Sequence, residues 1–119
     1  MPDTPKPRGP YSPIVRAGDW LVTAGQVGIR DGQLVDGVVE QTRQCLANIR
    51  ALLESEGASM DDVVKTTVLL ASIDDWLTMN DPYLEAFGDH RPARTAYAAA
   101  GLPIGALVEI EAWAYVGGR

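Results

Sequence analysis

At 119 residues, with 46% hydrophobic and 22% charged positions, the chain has the size and composition of one soluble globular domain spanning 1–119. A net charge of −6 with no Lys/Arg cluster excludes the electrostatic footprint of a nucleic-acid binder, and no apolar run approaches the roughly 18–20 residues of a membrane span. Cys45 has no second cysteine to pair with, and the proline-rich start lacks the apolar stretch of a secretory signal, so the expected location is cytoplasmic.

Residues 1–10 carry four prolines and are expected to form an extended arm. Ile14 to Ala17 is a short strand candidate that Gly18-Asp19 turns into a second, Trp20 to Ala24. Gly25 and Gly28 flank Gln26-Val27, a spacing that suits a bulge or a close backbone approach. Asp31-Gly32 is a tight-turn signal before the brief Gln33 to Val35, so the opening reads as a small antiparallel meander. From Val38 to Glu56, Val38, Thr42, Cys45, Leu46, Ile49, Leu52 and Leu53 recur at helical spacing, with Glu40, Arg43, Gln44, Arg50 and Glu54 opposite and Gly57 placed to end the helix.

Ser59 and Asp62 resemble a cap over one helical turn, and Val63 to Ala71 has the β-branched content of a strand. A second helix is expected from near Asp74, capped by Ser72 or Asp74, with Trp76, Leu77, Asn80, Tyr83, Leu84 and Phe87 on one face. Pro82 must kink or split it. After Gly88, Arg94 opens a further strand, and in the last strand Val108, Ile110, Ala112, Ala114 and Val116 alternate with Glu109, Glu111, Trp113 and Tyr115. The order β-β-(β)-α-β-α-β-β implies an α+β two-layer sandwich, a mixed sheet with both helices on one face. Its other face is too apolar to serve solvent alone, so self-association is expected, with Glu109 near subunit contacts.

Most chemistries lack their residues. One histidine, His90, and one cysteine, Cys45, build no zinc site, so no metal is expected; Asp61-Asp62 and Asp74-Asp75 read as helix-start acids. Gly25-Gln26-Val27-Gly28 matches no phosphate or dinucleotide fingerprint, and no serine sits in a nucleophile elbow, so no cofactor is expected either. Arg94 and Glu109 stand out as charges inside apolar, strand-like runs. Charge pattern leaves two readings open: a structural ion pair on the sheet, or a minimal site for a small anionic substrate. In the second, an arginine fork grips a carboxylate while a partly desolvated glutamate handles a proton. Tyr11 offers a ring with a polar tip, and Asn80 an amide among apolar neighbours.

Gly9-Pro10-Tyr11-Ser12, Ala24-Gly25-Gln26, Gln41 to Gln44 through Asn48-Ile49, Asp62 to Lys65, Asn80 with Tyr83, Arg91 to Thr95, Leu102-Pro103 and Val108 to Ala112 occur in that order. Together they resemble the RidA/YjgF family of enamine/imine deaminases from about Gly9 to Tyr115. The resemblance implies a chorismate-mutase-like fold assembled as a homotrimer with clefts between subunits. It further implies hydrolysis of 2-imino acids, formed from enamines such as 2-aminoacrylate, to 2-keto acids and ammonia. Arg94 would hold the substrate carboxylate, Glu109 would handle water, Tyr11 and Asn80 would line the cleft, and backbone groups around Gly25 and Ala96 would complete it. Ala24 stands where many members carry serine, and Ala96 where many deaminases carry cysteine. A non-catalytic small-carboxylate-binding or chaperone-like member is the alternative the resemblance admits.

Overall fold

The structure, a computed structural model, describes residues 4–118. Strand β1 (Ile14–Ala17) folds back onto β2 (Trp20–Thr23), and β3 (Gln26–Val27) follows. Strands β4 (Ile29–Arg30) and β5 (Gln33–Leu34) close a separate hairpin on Asp31 and Gly32. Both turn residues have positive φ, 54° and 80°, as the expected tight turn requires. Helix α1 (Val38–Ser55) stops where Gly57, at φ 79°, donates to the Glu54 carbonyl while Ala58 donates to Leu53. That is a Schellman stop, and only glycine adopts it without strain. After a single 3-10 turn (Met60–Asp62), whose Asp62 carboxylate accepts the Ser59 backbone N–H at 2.9 Å, come β6 (Val63–Leu70), α2 (Asn80–Phe87), β7 (Ala93–Ala98) and β8 (Val108–Tyr115).

The second helical region is split rather than continuous. Ser72 caps only a 3-10 turn (Ile73–Asp75), and α2 begins at Asn80, so Pro82 falls in its first turn, where a missing N–H breaks no helical bond. The split rotates the expected apolar face: Tyr83 and Phe87 are buried, but Trp76, Leu77 and Leu84 are exposed. Of the arm expected over residues 1–10, residues 4–10 carry no regular secondary structure, and residues 1–3 lie outside the described residues.

The strand order is β1-β2-β8-β6-β7, with β3 also on β8; only β6 and β7 run parallel, which makes the sheet mixed as expected. Val108, Ile110, Ala112 and Ala114 have no exposed surface and meet Leu46, Ile49, Leu53, Tyr83 and Phe87 from the two helices in one core. The chain is therefore an α+β two-layer structure. Registered partners share a face. Val15, Trp20, Trp113, Tyr115 and Tyr97 accordingly stand together on the face without helices, each at least 37% exposed. No helix among the described residues is long and apolar enough to cross a membrane.

Candidate functional site

The site begins with a mismatch between strands. Val22 is registered with Trp113 and Gln26 with Ile110, so three residues, 23–25, oppose two, 111 and 112. This is a bulge, and the Ala112 N–H it leaves without a ladder partner donates to Thr23 Oγ1 at 3.0 Å. Gly25 sits in the bulge because there is no room for a side chain. A Cβ there would lie 2.1 Å from Glu109 Oε2. Gly28 is likewise pressed on α1, where a Cβ would lie 2.7 Å from the Gln41 Cα. Close backbone approach, expected from the glycine spacing, thus holds at both positions.

Glu109 faces a hollow of about 590 Å³ lined by Tyr11, Gly25, Val27, Pro103, Ile104 and, from the arm, Arg8. Its carboxylate makes no hydrogen bond or ion pair among the described residues. Burial pushes its pKa above the ordinary glutamate value, and Glu111, two residues on along the same strand face, adds to the rise. A second hollow of about 760 Å³ adjoins the first through Arg8, Tyr11 and Gly25, between residues 4–8 and the β4–β5 hairpin. Ile104, at φ 54° and ψ 24°, holds a left-handed conformation that costs a β-branched residue about 1–3 kcal/mol.

Arg94 is built differently. It is half-buried, and its Nη1 donates to Asn80 Oδ1 at 2.9 Å and contacts Met79 Sδ at 3.4 Å. The guanidinium carbon lies 5.2 Å from the Trp76 ring centre and 4.8 Å from that of Tyr83. The Tyr83 hydroxyl is itself fixed by a 2.7 Å hydrogen bond with buried Thr66. Asn80, the first residue of α2, is placed by the same helix start that displaces Trp76 from the core. No carboxylate among the described residues lies within ion-pair distance of Arg94.

Within one protomer Arg94 and Glu109 do not meet, so a single sheet does not hold them as an ion pair. Arg94 is registered with Thr66 and Glu109 with Leu69 on β6, three residues apart, so their side chains leave opposite faces of the sheet. They stand about 10 Å apart along the strands and two strand spacings, about 9–10 Å, across them. Within one protomer the candidates form two sets: Tyr11, Gly25 and Glu109 around one hollow, and Arg94 with Asn80 elsewhere. Ala96, two residues after Arg94, turns its methyl onto the core.

The family model for Endoribonuclease L-PSP matches residues 1–116. The chain belongs to this family. It is 47% identical over 116 residues to a RutC family protein of Pyrococcus horikoshii, covering 95% of this chain and 92% of that one. It is 45% identical over 112 residues to the human 2-iminobutanoate/2-iminopropanoate deaminase, covering 92% and 82% of the two chains. The crystal structure of RidA from the Antarctic bacterium Psychrobacter sp. PAMC 21119 superposes with a TM-score of 0.91 at 35% identity, covering 95% and 94%. These matches bear out the RidA/YjgF resemblance and the fold it implies.

In this L-PSP family chain, sequence reasoning missed two groups. Gln41 and Asn48 are buried polar residues of α1 that tie the helix to the chain segments beside it. Gln41 bonds the Val35 carbonyl and the Leu107 N–H at 2.9 and 2.8 Å, and Asn48 donates to Val27 and Ile29 at 3.3 and 3.2 Å. Their amides among apolar helix positions were the available signal. Trp76 and Tyr83 around Arg94 left no comparable signal, because both read as core aromatics. Cys45 is buried, and its thiol pKa is pushed up by that burial, in keeping with packing rather than nucleophilic chemistry.

Proposed function

We propose that this protein is a cofactor-independent deaminase that hydrolyses 2-imino acids, including those arising from 2-aminoacrylate-type enamines, to 2-keto acids and ammonia. The observation that carries the reading is Arg94, a half-buried cation held by Asn80 and two rings with no carboxylate among the described residues. Such a fork complements the carboxylate that every 2-imino acid carries. The name of the human relative supports the same substrate class. The net charge of −6 favours a small molecule over RNA as the ligand.

Arg94 and Glu109 act on one substrate if two protomers share the site. In this reading a homotrimer supplies Arg94, Asn80 and the backbone at Ala96 from one protomer, and Glu109, Gly25 and Tyr11 from the next. The aromatic open face of the sheet and the free edge of β7 support such an assembly. Glu109 takes a proton from water as the water oxygen bonds to the imine carbon, and the C=N π pair moves to nitrogen. The protonated Glu109 then returns its proton to that nitrogen. Glu109 then carries the carbinolamine's hydroxyl proton to the amino nitrogen, the O–H pair becomes the C=O π bond, and the C–N pair leaves with nitrogen as ammonia, giving the ketone. An imine carbon is already electrophilic, so orientation and proton handling suffice.

Release of ammonia and keto acid from imino acids generated in situ by an amino-acid oxidase tests the proposal. Arg94→Ala removes a charge-assisted contact of about 1.5–3 kcal/mol, so kcat/KM falls about ten- to hundredfold. Background release by wild type, Arg94→Ala and Glu109→Ala alike, all correctly assembled, rejects the deaminase. Keto-acid binding that depends on Arg94, without turnover, would mark a non-catalytic carboxylate-binding protein instead.

A further inference from the structure

We propose that Ile104, with Val27, Pro103 and Ala24, forms an apolar wall that selects 2-imino acids with branched aliphatic side chains over the smallest ones. This rests on the deaminase reading and names the substrate class within it. The hollow before Glu109 has three polar side chains, Arg8, Tyr11 and Glu109; the rest of its lining is Ala24, Gly25, Val27, Pro103 and Ile104. Val27 is registered directly with Glu109, so it shares the face from which the carboxylate projects.

Ile104 is the residue whose presence the fold does not explain. Its left-handed backbone suits glycine or asparagine, and the turn is closed by the Ala106 N–H donating to the Pro103 carbonyl, which needs no side chain at 104. Ile104 is 47% exposed and belongs neither to the core nor to the partly buried residues packed on it. A strained, exposed, branched side chain instead lines the hollow that contains the candidate base. With the imine carbon beside Glu109 and the carboxylate on the neighbouring protomer's arginine, the remaining substituent meets this wall. A methyl group leaves it uncovered, whereas an isobutyl group covers it.

The test compares imino acids generated from alanine, leucine and glutamate on wild type and on Ile104→Gly and Ile104→Asn. Both variants keep a turn that tolerates positive φ. The leucine-derived substrate should exceed the alanine-derived one in kcat/KM by about tenfold in wild type, and that ratio should fall toward one in both variants. Titration with 4-methyl-2-oxopentanoate, pyruvate and 2-oxoglutarate reads the same wall without turnover and should give the same order. A wild-type ratio of one or less, or a ratio unchanged by both substitutions, overturns the wall. So does a preference for the glutamate-derived compound, whose second carboxylate Arg8 would hold. Absence of turnover on every substrate, with the binding order intact, would reject the deaminase reading and leave the wall standing.

Discussion

A site divided between protomers can be rebuilt from two impaired enzymes. Arg94→Ala keeps Glu109, and Glu109→Ala keeps Arg94. Because the two side chains leave opposite sheet faces, roughly 10 Å apart along the strands, neither chain can present both to one small substrate. In a cyclic trimer each protomer gives Arg94 to one interface and Glu109 to the other. Any mixed trimer, whichever variant is in the majority, then contains a single interface where intact Arg94 faces intact Glu109. Random assembly from equal amounts makes about three quarters of the trimers mixed, so about a quarter of wild-type activity should return. Co-expression with two different tags and tandem purification isolates the mixed trimers, which should reach about one third of wild-type kcat per assembly at wild-type KM. Keto-acid release is the assay. No recovery in doubly tagged, verified trimers would refute a site shared in this way.

Further outcomes follow from the hollow itself. Gly25→Ala places a Cβ 2.1 Å from the Glu109 carboxylate, which must retreat by about 1 Å, so kcat/KM should fall about a hundredfold with the melting temperature little changed. Gly28→Ala meets helix backbone at 2.7 Å instead and should lower the melting temperature; similar effects of the two substitutions on activity and stability would contradict this assignment. Burial and Glu111 raise the Glu109 pKa, so the acidic limb of kcat/KM should lie above the ordinary glutamate range and move down in Glu111→Gln, and an unmoved limb would count against Glu109 as the base. A raised carboxyl pKa contributes stability below its unfolded value and loses it as pH rises through the folded one. Thermal melts should therefore find Glu109→Gln gaining on wild type as pH rises from the ordinary glutamate range through that limb, with no further gain above it.

The layer order was legible because local pattern and tertiary burial agree. The period-two alternation from Val108 to Val116 and the helical repeat from Val38 to Leu53 each assign one face to the core, and both faces are found there. Legibility failed where one residue reset the phase. Pro82 delayed α2 to Asn80, which turned Trp76 out of the expected apolar stripe and beside Arg94. Gly25 was readable as a close approach, but its neighbour was not, because Glu109 lies far along the chain and meets it only through the bulge on β8. Arg94 and Glu109 were each conspicuous as embedded charges. Their relation depended on the parallel pairing of β6 with β7, a register that alternation within a single strand cannot specify.

The indole stacked on the guanidinium carries a practical consequence. Trp76 lies 5.2 Å from the charge that an incoming anion would neutralise, while Trp20 and Trp113 lean on each other at 6.2 Å on the sheet's far side. With those two replaced by phenylalanine, the remaining tryptophan's emission becomes a label-free gauge of occupancy at the arginine. Ligand arrival can then be timed separately from the chemistry.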